Sequence, residues 1–385
     1  MVTGWSQLTV VGRRNDVGRW TLVTSSPQDA QLLSPPVDAS GAVTAPRGVI
    51  LRRDDGVGTP ITFTSGWVEG LPQLEHRAGV TTWTFSGWDD TVVLADTTCW
   101  PRPASPIGSQ TDAYNIVSGP ASDRIRNFFV SNVQNRLGIP GVAAGLTPPG
   151  LGPSGTSQAR FTGLLALAQD IAGRDLNFIV RQRDGDRMLF LFQWLPVDKR
   201  LVVQFSPALG SLSDWSYTIT PAGATRVVVG AGGEGEARGF RLRTRSAEES
   251  ALGNVRKIER FQDRRDLSLD EPDWQTDADA SGDEFLTEAA STAAFAFTAT
   301  DLPGMRAYVD FSPGDLVRAY IDQDADGQPV GLVDDLIEEM TTTWSAEGER
   351  CQVRIGDTED LDPTTRLAKN LRAATRRIAE LEARR

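Results

Sequence analysis

The stretch VVVGAGGEG, residues 227 to 235, places Gly230, Gly232 and Gly235 in the spacing G-x-G-x-x-G directly after three β-branched valines. With that spacing a strand, a tight turn and a helix N-terminus hold a pyrophosphate. The chemistry needs a helix straight after the glycines. Here EARGFRLRT follows, with Gly239 interrupting and Phe240 and Leu242 alternating with arginines, which is a strand pattern. Glu234 and Glu236 also set negative charge where phosphate would sit. The stretch reads as a glycine-rich turn between strands, and no cofactor is expected. A second motif, DQDADG from Asp322 to Gly327, matches the first half of a calcium loop. Val333 stands where the bidentate glutamate belongs, and LVRAYI before the motif reads as a strand. A solvated acidic turn accounts for Asp322, Asp324 and Asp326, and the sequence leaves ion binding there open.

Nucleophilic and acid–base chemistry has few components to draw on. His76 is the only histidine, so a Ser-His-Asp or Cys-His site has to use it, yet LPQLEHRAG around it is loop-like. There is no G-x-S-x-G elbow. Cys99 and Cys351 are far apart and lack metal-ligand or redox spacing, so a disulfide is possible but not indicated. Carboxylate pairs occur at Asp54/Asp55, Asp89/Asp90, Asp334/Asp335 and Glu338/Glu339. Glycoside hydrolysis needs two such groups, but nothing singles out one pair. No catalytic or metal residue is assigned, and the chain is expected not to be an enzyme.

The C-terminus carries the stronger signal. Leu367, Leu371, Ala374, Ile378 and Leu381 recur in alternating steps of four and three, an a/d seam on an otherwise polar helix. Arg377 falls at g and Glu382 at e, where they can pair between parallel chains. The seam spans under three heptads and is weak alone. Self-association is the favoured reading over docking on the chain's own body or on a membrane surface. The seam does not fix the number of strands.

The elements that would position these residues are mostly strands. The chain has 385 residues, 37 Gly, 22 Pro and 10 Trp, which suits several domains of short strands and turns. Its net charge is −12, yet residues 361–385 hold seven Lys/Arg against three Asp/Glu, so an acidic body ends in a basic tail. That balance argues against nucleic-acid binding by the surface as a whole. No signal peptide and no membrane span are expected. Residues 1 to about 110 contain LTVVG, RWTLVTS, RGVILRRDDG, PITFTSGWVEG, VTTWTFSGWDD and TVVLADTTCWP, all read as strands, with Asp55-Gly56 a hairpin turn. A helical period follows in SDRIRNFFVSNVQNRLG, with Ser122 as N-cap and Gly138 as C′. A second helix is read in ARFTGLLALAQDIAG, with Phe161 on its buried face. LNFIVRQ and MLFLFQW flank Asp184-Gly185-Asp186 as a hairpin. Strands then run to RGFRLRT, with one more in NVRKIERFQDRRD, a short helix in DEFLTEAASTAA and a second β region at about 301–360.

The order of these segments resembles the Gp37-like tail proteins of actinobacterial siphophages, hub proteins at the tail tip. The resemblance rests on VVLADTTCWP, FTGLLALAQDIAGRDLNFIVRQ, VVQFSPALGSLSDWSYTITPAGATRVVVGAGGEGEAR, RKIERFQDRRD, FSPGDLVRAYID and RCQVRIGD, across roughly residues 5 to 356. It implies a mainly β protein with an α+β middle: a tail-tube-like β-barrel at 1–110, a central α+β domain at 111–265, a second β-barrel region with a short helix at 266–360, and a C-terminal coiled-coil helix at 361–385. It further implies a homotrimer in the virion, at the tail tip. The partners would be the distal tail protein, the tape-measure protein and a tail fibre or spike. DNA would pass only in transit through an acidic lumen. The alternative is a carbohydrate-binding or cell-wall-cleaving β protein of a phage particle. A nucleotide-binding enzyme built on Gly230 to Gly235 is the third reading.

Overall fold

A computed structural model describes residues 2–54, 60–139, 142–144, 150–182, 188–194, 197–290, 292–321 and 331–356. The chain divides into two compact units, Met1–Trp215 with Ala296–Ile355, and Ser216–Phe295 with Gly356–Arg385. Unit 1 opens with β1 (Trp5–Arg13), β2 (Arg19–Thr24), α1 (Pro27–Leu33), β3 (Gly48–Arg53), β4 (Ile61–Val68), β5 (Gln73–Arg77) and β6 (Val80–Asp89). It continues through α2 (Val92–Ala95), β7 (Thr98–Cys99), β8 (Asn115–Pro120), α3 (Ala121–Phe129) with a π-helical extension (Val130–Leu137), β9 (Val142–Ala144), β10 (Ser154–Ala159) and β11 (Thr162–Gly163). Next come α4 (Leu164–Ala172), β12 (Leu176–Gln182), β13 (Met188–Trp194) and β14 (Gln204–Phe205). The chain leaves unit 1 along β15 (Leu212–Thr220) and builds β16 (Arg226–Gly230), β17 (Phe240–Thr244), α5 (Ser246–Ala251), β18 (Glu259–Asp263) and α6 (Trp274–Glu288) in unit 2. It returns along β19 (Thr292–Ala299) to β20 (Leu316–Ile321), β21 (Gly331–Ser345) and β22 (Gly348–Gly356).

The mainly β class with helices in the middle is as expected, but among the described residues neither of the two expected closed barrels is found. The principal sheet has 12 strands, with the path β15-β19-β22-β21-β1-β2-β6-β4-β3, and among the described residues its end strands do not pair with each other. β1 is antiparallel to β2 on one edge and to β21 on the other. Thr9 stands opposite both Thr21 and Thr343. Both edges of β1 are thus used, which merges the first strands and the last into one sheet. In β2 the alternation is that of a half-buried strand: Trp20, Leu22 and Thr24 are buried, and the residues between them are more open.

Three local expectations are corrected. TVVLADTTCWP is not a strand: Val92–Ala95 form α2, followed by the two-residue β7. The buried Asp89 carboxylate accepts the Thr91 N–H at 3.0 Å and the Thr97 hydroxyl donates to the Val93 carbonyl at 2.7 Å, closing the turn that the valines would not choose alone. In the next helix the N-cap is Pro120, not Ser122, and the second half is π-helical before Gly138 closes it at φ 60. Ser122 instead lies inside the first turn, where its hydroxyl accepts the Leu151 N–H at 2.9 Å. Finally, Phe161 is not on a buried helical face. It precedes α4 with φ 53 and is 46% exposed, in edge contact with the Trp100 ring.

The helices of unit 1 and the start of β12 share a core of Leu94, Ile125, Phe128, Phe129, Leu164 and Leu176. The turn after β1 locks β12 in place. Asn15, at φ 52, donates to the Leu176 carbonyl at 2.8 Å and accepts the Phe178 N–H at 2.7 Å. Arg14 donates to Asn177 Oδ1 at 2.7 Å and to the Gly173 carbonyl at 2.8 Å. In unit 2, β16 is central, antiparallel to β17 and parallel to β18. Val227 and Val229 pack with Ala278 and Leu286 of α6.

Candidate functional site: assembly surfaces

The glycine motif is structural. Gly230 ends β16, and a Cβ there would stand 2.7 Å from both Phe261 Cζ and Arg238 Nη2. At Gly232 it would meet the Leu267 carbonyl at 2.8 Å, and at Gly233, with φ 88, a Cβ would run into the Ala237 carbonyl. A single 3₁₀ turn at Gly235–Ala237 follows, then β17, so no helix N-terminus faces the glycines. The glycines let the backbone turn sharply while Arg238 folds back over it. The Arg238 guanidinium donates to the Ala231 and Gly230 carbonyls at 3.0 Å, pairs with Asp263 and lies over the rings of Phe240 and Phe261.

The other candidate groups are placed apart. His76 sits on β5, exposed, with Nδ1 2.9 Å from the Thr81 hydroxyl. Cys99 and Cys351 are free and buried, and burial pushes each thiol up to about 12. Asp334 is clamped by Arg318 through two bonds of 2.7 Å and by Arg200 at 3.2 Å, and the Arg318 contact holds its carboxyl below the usual range. Asp335 pairs with Arg174, Glu338 with Arg14, and Glu339 with Arg13 and Arg354. Asp89 and Asp90 differ, because no salt bridge reaches them among the described residues. Asp89 accepts the N–H groups of Gly18 and Thr91 at 2.9 and 3.0 Å. Asp90 Oδ2 meets the Ser65 hydroxyl at 2.5 Å, which in turn accepts the Gln182 N–H at 2.6 Å, and Asp90 Oδ1 has no partner. Burial raises Asp89 to about 7 and Asp90 to about 6. Asp90 thus links the end of β6 through Ser65 of β4 to Gln182 of β12, and Asp89 links it to Gly18 before β2. Among the described residues no three His, Cys, Asp or Glu are grouped to hold a metal ion. Asp55, the Asp322 to Asp326 cluster and the seam Leu367, Leu371, Ala374, Ile378 and Leu381 lie outside the described residues.

What the described residues offer instead is uncovered apolar surface on strands. In unit 1, all of β5 is exposed, and among the described residues its only strand partner is β6. The two strands join through Ala78 and Gly79, both at positive φ, as in a two-residue hairpin turn. Leu71, Leu74 and Val80 on this arm are each more than half exposed. In unit 2 the usual in–out pattern is reversed. On β17 the arginines face the helix: Arg241 pairs with Asp279 and Arg243 with Asp283 of α6. Phe240 and Leu242 therefore point to the other face, where Phe261 of β18 joins them, each more than half exposed. The period-two alternation in GFRLRT signals the strand but not which face the helix takes.

The chain belongs to the family described as Siphovirus ReqiPepy6 Gp37-like protein, whose model matches residues 1–357. Its fold is similar to that of the 43 kDa tail protein of prophage MuSo2 from Shewanella oneidensis. That likeness has a TM-score of 0.53 at 13% identity and covers 91% of this chain and 93% of that one. A tail protein from Neisseria meningitidis MC58 is similar at a TM-score of 0.52 and 12% identity, covering 92% of this chain and 93% of that one. No curated protein matches. Among the described residues no helix is long and apolar enough to cross a membrane.

Proposed function

We propose that this Gp37-like protein is a structural, non-enzymatic component of the tail tip of a long-tailed bacteriophage. It acts as a hub that trimerises, continues and caps the tail tube, and connects the distal tail protein with tip fibres or a spike. The observation that carries the reading is the end-to-end likeness of its fold to tail proteins, across more than nine-tenths of each chain. Uncovered apolar strands in each unit agree with a protein that works by being assembled. The seam from Leu367 to Leu381 is the proposed trimerisation element, and the tape-measure protein a further partner.

Antibody labelling of intact virions tests the location: gold at the tail end distal to the head is expected, and labelling along the tube would refute the hub. Light scattering tests the assembly, with a mass of about three times 41.7 kDa expected for the purified chain. Replacing both Leu371 and Ile378 with Asp lowers that mass toward the monomer. An unchanged mass in this double variant removes the seam from the proposal and leaves the location test standing.

A further inference from the structure

A groove of about 430 Å³, open to solvent, lies in unit 1 between β8 and the helix made of α3 and its π-helical extension. Three carboxamides line it: Asn127 and Asn135 from the helix, Asn115 from β8. Asn127, Ser131 and Asn135 follow at steps of four, and the π-helical winding keeps all three on the groove side. None of the three carboxamides hydrogen-bonds to another described residue. Asn132, on the same helix, shows the contrast. It is buried, donates to the Phe128 carbonyl at 3.0 Å and accepts the Trp100 N–H at 3.0 Å, so its amide is fully occupied with holding the fold. The remaining wall is apolar, with Val117, Val130 and Pro103, and among the described residues no charged side chain lines the space.

That chemistry selects a ligand class. Without a counter-charge the groove has nothing to offset the desolvation of a phosphate, a carboxylate or a metal ion. Each carboxamide presents a donor and an acceptor side by side, matching groups that also donate and accept at one atom. Sugar hydroxyls do this, and the C–H faces of a sugar ring suit the valine and proline walls. The size lies within the range of small-molecule sites, roughly 300–1,000 Å³. We infer that this groove is a binding site for a neutral saccharide. The site goes beyond the structural role proposed above and does not depend on it.

Saturation-transfer NMR on the purified full chain provides the test, with glucose, galactose, arabinose and N-acetylglucosamine as probes at about 10 mM. Transfer to at least one sugar is expected. The Asn127→Leu/Asn135→Leu double variant should lose it by about tenfold or more in affinity. Both residues are exposed, so its melting temperature should match the parent's. Ser118→Ala, on the outward face of β8, should bind as the parent does. Transfer to none of the sugars overturns the inference, as does transfer that persists undiminished in the double variant. Binding of a blocked alanine dipeptide in place of every sugar also overturns it, assigning the groove to polypeptide main chain.

Discussion

At Gly230 the sequence motif and the structure part company for a steric reason. A side chain at this position must displace the aromatic ring and the guanidinium that already occupy the space over it. Gly230→Ala should therefore cost about 1–3 kcal/mol by overpacking, read as a lower urea midpoint. A second residue-scale prediction concerns Asp89 and Asp90. Their folded pKa values, about 7 and about 6, lie above the unfolded carboxyl's value of about 4. Between those limits the native state binds more protons than the unfolded chain, so stability falls as pH rises. The contribution is complete below about pH 4 and is lost as pH climbs through 6 to 7. Urea midpoints taken at acidic and at mildly alkaline pH should show that fall, and Asp90→Asn should flatten it. A slope identical in the variant would show that Asp90 is ionised throughout.

Among the elements, the arm of β5 and β6 gives the clearest expectation. Leu74→Lys with Val80→Lys changes two exposed side chains, so the free chain should keep its stability within about 0.5 kcal/mol. Its self-association or partner binding should weaken, as sedimentation at increasing concentration would report. Much of the element level was legible in the sequence: the period-two runs became β2, β4, β6 and β12, and the helix read in ARFTGLLALAQDIAG became α4, which Gly173 ends. α2 was hidden because its valines favour a strand, whereas the Asp89 and Thr97 side chains close the turn and the core takes Val93 and Leu94. The groove asparagines were missed because exposed carboxamides scattered between helix and strand have no spacing of their own. The π-helical winding that aligns Asn127 with Asn135 leaves no mark in a 3.6-residue period.

For the molecule as a whole, the two-unit division predicts uneven stability. Leu286 is buried in the small core of unit 2, so Leu286→Ala should cost about 2–5 kcal/mol there. Calorimetry should show part of the heat absorption shifting to lower temperature while the rest stays in place. A single peak moving as one would instead show that the units unfold together. The strand that merges the sheet also sets a schedule for synthesis. β1 is among the first segments to leave the ribosome, but its partner on one edge, β21, begins at Gly331. At 5–20 residues per second the interval is on the order of 15–60 s. Through that time β1 presents an open edge while neighbouring ribosomes on the same message extend identical strands. The nascent chain is thus exposed to pairing with its own copies before its own last strand exists, and production in quantity depends on how well that edge is shielded.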